Sequence, residues 1–321
     1  MLRNRHKLAI LIAGLAFTPT FAAADGGGVF SSLEQYNHQT GDSELTLRSY
    51  DAFDELDGLP GVTSYTVAVN DDDPQTIDPN PEYDFDFKRR QSWDNLEDML
   101  AARPIGATYT HELFGSPNGE VVIESPDVHY DDAIPVDPIF TISGATGDWA
   151  IDDEGHGIFY FDPTDVTELT ITLNPYSLRA GASGTPGEYL LSALFVAYLN
   201  EGFDAIDAVD TDLLEPGDPL DPLSITFTKG LPLDGGDGDP TTYGFSPGDW
   251  FELEGEHVNI FGLGEADGFE DVYQGFVYQN VTSMVLAAQP IPEPTSLLLL
   301  GAGSLLLLRR RAGRQGCGSQ L

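Results

Sequence analysis

Cysteine and cationic residues are scarce in this 321-residue sequence. Its single cysteine, Cys317, excludes an intrachain disulfide framework, so stability has to come from apolar burial, from hydrogen bonds and, if cation sites exist, from bound cations. Only 14 Lys and Arg residues stand against 53 Asp and Glu residues, and within residues 25–290 the balance is 7 against 52, a net charge of −45. A polyanion of this density repels nucleic acid and anionic membrane faces, which excludes both as partners.

Two interpretations of the negative charge are open. A solvated acidic surface suited to salty water is favoured by the shortage of lysine, since residues 25–290 contain only Lys88 and Lys229. Specific Ca²⁺ sites are favoured by the clustering of aspartates in short Gly/Pro loops. The best candidate is Asp234, Asp237 and Asp239, on a glycine-rich loop that can fold around a hard cation but does not match the EF-hand register. No other cofactor is predicted.

The N-terminus has the three parts of a secretory signal peptide. Arg3, Arg5 and Lys7 form a positive region, residues 8–17 an apolar region, and Ala22 to Ala24 a small-residue cleavage site. The sequence therefore predicts a signal peptide at residues 1–24, with cleavage after Ala24.

The C-terminus combines a Pro-Glu-Pro triplet, a leucine-rich run at residues 297–308 and three arginines. The residues at the two ends of this segment are Pro292, Glu293, Pro294, Arg309, Arg310 and Arg311. At about 1.5 Å per residue the run covers ~18 Å, and counting from residue 291 about 27 Å, against about 30 Å for a bilayer core. We therefore expect a short transmembrane helix with its arginines on the cytoplasmic side.

This segment resembles the sorting signal of the PEP-CTERM family of exported bacterial proteins. The resemblance covers about residues 290–311 and implies that an exosortase, a membrane protease, recognises the triplet and removes the tail during sorting to the cell surface. Residues 312–321 extend beyond the usual end of such tails. The expected organisation is a signal peptide at 1–24, an acidic extracytoplasmic domain at 25–290, a sorting signal at 291–311 and a cytoplasmic tail at 312–321, with transient inner-membrane anchoring.

The acidic domain is predicted to be mainly β. About a dozen short β-rich stretches are bounded by Gly, Pro or Asp: 44–50, 61–70, 107–114, 120–124, 139–143, 157–161, 166–173, 223–229, 250–253, 257–261, 272–279 and 281–287. Residues 92–103 have a helical pattern, and residues 186–199 are apolar almost all round, which indicates a buried helix. We expect an antiparallel β-sandwich or jelly-roll-like domain with one or two inserted helices.

Other candidate chemistry is weak. His129 and His156 lie beside carboxylates, at residues 127–132 and 152–156, but neither has metal-ligand spacing, and the pair His111-Glu112 lacks the second histidine of a metalloprotease helix. Weaker cation candidates are Asp71, Asp72, Asp73, Asp207, Asp210 and Asp212. Nucleophile-elbow and phosphate-loop motifs are absent. Aromatic residues, including Trp93, Trp149 and Trp250, suit either a core or a sugar-stacking face.

Three function hypotheses follow. The first is a non-enzymatic cell-surface or extracellular-matrix protein that interacts with polysaccharide or divalent cations. The second is a secreted polysaccharide hydrolase whose carboxylate pair is separated along the chain. The third is a passive acidic coat component.

Overall fold

A computed structural model describes residues 27–39, 46–55, 62–70, 72–77, 87–115, 118–151, 157–199, 205–214, 221–231, 245–267 and 272–289. Within these ranges the helices are α1 (Leu96–Ala102) and α2 (Tyr130–Ala133), with a 3₁₀ turn at Gly181–Ser183. Neither helix is long or apolar enough to cross a membrane. The predicted signal peptide, membrane helix and tail lie outside the described residues.

Strands make up most of the described chain. They are β1 (Gly27–His38), β2 (Thr46–Glu55), β3 (Val62–Val69), β4 (Gln75–Ile77), β5 (Phe87–Trp93), β6 (Thr108–Gly115), β7 (Gly119–Glu124), β8 (Phe140–Ser143), β9 (Gly147–Ile151), β10 (Gly157–Phe161), β11 (Glu168–Leu173), β12 (Tyr189–Leu199), β13 (Ala205–Leu214), β14 (Ser224–Thr228), β15 (Trp250–Glu265) and β16 (Val272–Ala288). The predicted mainly β domain with a small helical content is confirmed.

Three sheets are built from these strands. The large sheet has nine strands in the order β13-β12-β15-β16-β1-β2-β5, with β10 and β9 added beside the end of β16. The two small sheets are β4-β3-β6-β7 and β14-β11-β8. The ladders are antiparallel except for β1 and β10, which both pair with β16 in parallel, so the large sheet is mixed where an antiparallel one was expected.

Both small sheets pack on one side of the large sheet, which we call its front face. The β4-β3-β6-β7 sheet and both helices enclose one apolar core against β1, β2, β5 and β16, with Phe53, Tyr65 and Tyr109 among its buried members. The β14-β11-β8 sheet encloses a second core against β12, β15 and β16, around Leu169 and Phe251. Face-to-face burial of alternate side chains holds the two layers together.

The predicted helix at residues 186–199 is wrong, because Tyr189–Leu199 forms strand β12 between β13 and β15. Its front-face residue Leu194 and its opposite-face residues Leu191 and Phe195 are all buried. A strand buried on both faces is apolar at successive positions, and over a short run this pattern is indistinguishable from that of a buried helix.

The other helix prediction, at residues 92–103, is confirmed for its C-terminal part only. Strand β5 extends to Trp93, and α1 begins after Asn95, whose side chain accepts a hydrogen bond from the Asp98 backbone N–H at 2.9 Å. Asn95 is therefore the N-cap, where Ser92 was expected. The pattern predicted for β11 is confirmed: Leu169, Ile171 and Leu173 are fully buried and alternate with half-buried threonines.

At Gly255, side chains of the front layer pack directly on the backbone of the large sheet. A methyl group at this position would lie 2.6 Å from Leu173 Cδ1 and 3.0 Å from Phe140 Cζ. We expect Gly255→Ala to lower the free energy of unfolding by about 1–3 kcal/mol, because the added carbon overpacks this core. Gly264→Ala is the matched control, since open space surrounds Gly264, and denaturant unfolding of both variants makes the measurement. Equal stability of the two variants would contradict this packing.

Candidate functional site

The predicted site residues fall outside the described part of the chain. This applies to the sorting-signal residues Pro292, Glu293, Pro294, Arg309, Arg310 and Arg311, to the cleavage residues Ala22 and Ala24, and to the loop aspartates Asp234, Asp237 and Asp239. Residues 152–156 and the side chains of Asp207, Asp210 and Asp212 are likewise not described. These assignments stay predictions.

The weaker motifs that the structure does describe have structural roles. His129 is exposed and caps α2, where its Nδ1 atom accepts a hydrogen bond from the Asp131 backbone N–H at 3.3 Å. Asp72 and Asp73 are exposed in the loop before β4. Among the described residues, no three His, Cys, Asp or Glu side chains converge in a way that could hold a metal ion.

A fully enclosed polar cluster lies between the large sheet and the β4-β3-β6-β7 sheet. It consists of Ser31, Asp51, Tyr65, Arg103 and His111, and we call it the enclosed cluster. Arg103 binds the Asp51 carboxylate through two nitrogen atoms, at 2.9 and 2.5 Å. Four of the five residues are 0% exposed and Arg103 is 3% exposed. A buried ion pair with this two-point geometry compensates for the removal of both charges from water.

The hydrogen bonds of the enclosed cluster connect side chains of four strands. The Ser31 hydroxyl donates to Asp51 Oδ1 at 2.9 Å, and Ser31 Oγ lies 3.1 Å from His111 Nε2. His111 Nδ1 lies 2.6 Å from the Tyr65 hydroxyl oxygen, and the Ala52 carbonyl oxygen lies 3.3 Å from the same hydroxyl. These contacts join β1 and β2 of the large sheet to β3 and β6 of the small one.

Burial also sets the ionisation of this cluster. Desolvation lowers the pKa of His111 to about 4, and it raises the pKa of Tyr65 well above its ordinary value. Both side chains are therefore neutral near pH 7, and the cluster's charges are those of Asp51 and Arg103. The buried ion pair and hydrogen bonds of the enclosed cluster fix the position of the small sheet relative to the large sheet.

A second polar group, the polar seam, lies on the front face between the two small sheets. It consists of Gln35, His257, Asn259 and Asn280. Asn259 Nδ2 donates to Ala133 O at 2.8 Å, and Asn280 Nδ2 donates to Asp137 Oδ1 at 2.7 Å. The acceptors, Ala133 and Asp137, belong to the segment that crosses the front face between the two small sheets. Hydrogen bonds of the polar seam therefore hold this segment on the large sheet, in the region between the two apolar cores.

His257 is the buried ionisable group of the polar seam. Its Nδ1 atom lies 3.1 Å from Val136 O and its Nε2 atom 3.2 Å from Asn174 O. Burial lowers the pKa of His257 to about 4, and the two carbonyl groups, which would both accept from an imidazolium, only partly oppose this shift.

The sequence contained signals for these two groups. His111 follows Tyr109 and precedes Leu113 at the inward positions of β6, and this alternation places its imidazole in the core. In β15 the same alternation puts His257 and Asn259 of the polar seam on one face and Glu252, Glu254 and Glu256 on the other. This arrangement was missed because the sequence prediction divided β15 into two strands at Gly255.

An exposed aromatic ring lies at the edge of the large sheet. Trp149 on β9 is 49% exposed, and its ring contacts Phe159 edge-on at a centroid distance of 5.4 Å. The contact fixes one edge of the indole and leaves much of the ring accessible, an arrangement that suits stacking against a flat apolar partner.

Comparison with known proteins identifies the C-terminal segment. A family model described as the PEP-CTERM protein-sorting motif matches residues 290–312. No curated protein matches the chain. Similar solved structures include the Fcho1 Mu homology domain of Danio rerio with a bound Eps15 peptide, at 8% identity and TM-score 0.27, covering 81% of this chain and 96% of that one.

A second similar structure is the B domain of a biofilm associated protein, at 6% identity and TM-score 0.18, covering 85% of this chain and 88% of that one. Both TM-scores lie below 0.5, and neither likeness carries a conclusion about fold or function.

A PEP-CTERM protein-sorting motif implies an exported protein that an exosortase sorts to the cell surface. The triplet Pro292-Glu293-Pro294, on which the predicted resemblance rested, lies within the matched residues 290–312, and the match is limited to that segment.

The two buried histidines predict acid sensitivity. A histidine whose folded pKa is lowered takes up its proton more readily when unfolded, so stability is complete above about pH 6.5 and falls as the pH falls towards 4. The expected loss is about 3 kcal/mol for each histidine. Unfolding by denaturant between pH 7 and pH 4 measures the slope.

The carboxylates titrate in part of the same range, so variants have to isolate the histidine contribution. His257→Gln should flatten the slope, because it removes one of the two buried imidazoles. A His257→Gln protein with the wild-type slope would show that this imidazole does not control acid sensitivity.

Proposed function

We propose that this protein is a non-enzymatic component of the cell surface or extracellular matrix that interacts with polysaccharide or divalent cations. The observation that carries the proposal is the place of the sorting motif: β16 ends at Ala288 and the motif match begins at residue 290. Because the motif directly follows the last strand, its sorting would carry the β domain to the cell surface.

The enclosed cluster supports a non-enzymatic role. It brings a hydroxyl, an imidazole and a carboxylate together, yet Ser31 and His111 are 0% exposed. A substrate cannot reach these groups without separating two sheets. The cluster therefore serves stability, although a catalytic role is what such residues would first suggest.

Trp149 and the negative charge together indicate the kind of polysaccharide. The half-exposed indole offers an apolar surface to the face of a sugar ring. The net charge of −45 within residues 25–290 repels anionic polymers, so direct binding favours neutral chains, and anionic chains require bridging cations.

We expect Trp149→Ala to weaken binding of the exported protein to neutral polysaccharide by about 2- to 10-fold, because an aromatic contact contributes about 0.5–1.5 kcal/mol. Phe114→Ala is the matched control, since Phe114 is 40% exposed on β6, away from Trp149 in the fold. Sedimentation with insoluble polysaccharide measures binding. Equal affinity of wild type and Trp149→Ala would remove Trp149 from the proposal, and release of reducing ends would favour the hydrolase alternative.

The cation interaction has its own test. If Asp234, Asp237 and Asp239 form a site, Ca²⁺ should raise the thermal unfolding temperature of the exported protein more than NaCl of equal ionic strength does. The variant Asp234→Asn/Asp237→Asn/Asp239→Asn should lose that difference, while Glu112→Gln/Glu120→Gln/Glu124→Gln removes the same charge elsewhere and should keep it. An equal rise in unfolding temperature with Ca²⁺ and with NaCl would indicate that both salts act only by screening the negative charges.

A further inference from the structure

The two strands at the ends of the large sheet carry opposite charges. Strand β5, at one end, contains Lys88, Arg89 and Arg90, which are three of the seven cations within residues 25–290. Strand β13, at the other end, contains three aspartates and neither lysine nor arginine. Within the described residues β5 pairs only with β2, and β13 only with β12, so one side of each strand has no neighbouring strand there. The backbone groups on such a side can pair with a further strand.

The two arginines of β5 lack acidic partners in a domain where acids are in large excess. Arg48, Arg103 and Arg179 each form an ion pair with a carboxylate. Arg89 is half-buried and Arg90 is exposed, and neither forms an ion pair with any residue that the structure describes. Adjacent unpaired guanidinium groups at a sheet edge favour an acidic strand as the partner, because opposite charges stabilise cross-strand pairs.

We propose that copies of this domain assemble head to tail, with β5 of one copy pairing with β13 of the next and extending the large sheet from molecule to molecule. This assembly goes beyond the proposed function and requires no polysaccharide. Two β5 edges repel each other, and so do two β13 edges, so only unlike edges pair. Such a contact is heterologous, and repeating it gives open chains of molecules instead of a closed dimer.

The strand directions allow this pairing without inverting the domain. From β13 to β5 the sheet has five antiparallel ladders and one parallel ladder, between β16 and β1. The two end strands therefore run in opposite directions. A copy displaced along the sheet, following its twist, presents β13 antiparallel to β5 and keeps its small sheets on the same side. Antiparallel pairing is also the more stable kind per residue.

The two faces of the sheet restrict the register of the new ladder. Arg90 is paired with Tyr50 and Asp207 with Ala197, and both pairs belong to the face opposite the small sheets. Facing positions of neighbouring strands share a face. A continuous sheet therefore allows Asp207 to lie opposite Arg90.

This register gives each of the three cations an acidic neighbour. With Asp207 opposite Arg90, Lys88 lies diagonal to the same aspartate. On the front face, Arg89 then lies diagonal to Asp210. Diagonal positions are about 7–8 Å apart, within reach of long side chains. No other register that keeps the faces aligned places an aspartate beside all three cations, and about six residues of each strand face each other in it, over about 20 Å.

The net charge of the domain does not prevent this contact. Copies with a charge of −45 within residues 25–290 repel each other at long range. At physiological ionic strength, however, exposed charges more than about 8 Å apart are largely screened. Paired strands lie about 4.8 Å apart, so the cross-strand charge pairs act within that distance.

Cross-linking between isotope-labelled copies tests the contact. Carbodiimide joins an amine to a carboxylate in direct contact, and Lys88 is the one lysine of β5. In a mixture of light and heavy exported protein at about 0.15 M salt, we expect mass spectrometry to find Lys88 of light chains joined to Asp207 of heavy chains, and the reverse. Lys88 links that occur only within one chain, or only to other acids, would overturn the proposal.

Charge reversal tests the specificity of the contact. Lys88→Glu/Arg90→Glu and Asp207→Lys should each weaken association of the exported protein about tenfold, because attractive contacts become repulsive. An equimolar mixture of the two variants should assemble like the wild type, since each reversed edge then meets a complementary one. Sedimentation velocity over a series of concentrations measures association. The controls Lys229→Glu and Glu120→Lys change exposed residues elsewhere and should assemble like the wild type.

Three sedimentation results would overturn the assembly: an exported protein that is monomeric at every concentration, a single closed dimer, or folded variants whose mixture does not regain association. The first would remove the contact, the second would replace it with a symmetric interface, and the third would show that β5 and β13 do not face each other. The cross-link decides independently of any folding defect in the variants.

Discussion

The large sheet has to bury both of its faces, and most of the structure follows from this requirement. Every residue from 253 to 261 of β15 is buried, whichever face it lies on. The front face meets the requirement with two small sheets placed side by side, each with its own apolar core. The opposite face carries buried apolar residues beside Glu252, Glu254 and Glu256 of β15.

Buried polar groups determine how the layers align. The enclosed cluster joins the large sheet to one small sheet through the Asp51 and Arg103 pair, and the polar seam ties the crossing loops to β15 and β16. Slipping a strand by one residue would move each of these groups to the wrong face and leave it without its hydrogen bonds. Apolar packing supplies most of the driving force, and these contacts select one arrangement.

Sequence patterns predicted a strand well where one of its two faces is exposed to solvent. Strand β11, with leucine and isoleucine alternating with threonine, was identified because its two faces differ in polarity. Strand β12 was mistaken for a helix because both of its faces are buried, and β15 was divided because Gly255 interrupts its pattern. The sorting segment was recognised because its residues are contiguous. The enclosed cluster joins residues up to 80 positions apart, as between Ser31 and His111, and no local pattern reports such a contact.

The first and last described strands of the domain, β1 and β16, are neighbours in the middle of the large sheet. Closing the sheet therefore waits for the final strand, and contacts this distant in sequence form slowly. A polypeptide emerging from the ribosome N-terminus first keeps its central sheet incomplete until nearly all of it has been synthesised. The strand that completes the central sheet is thus also the last one synthesised before the sorting motif.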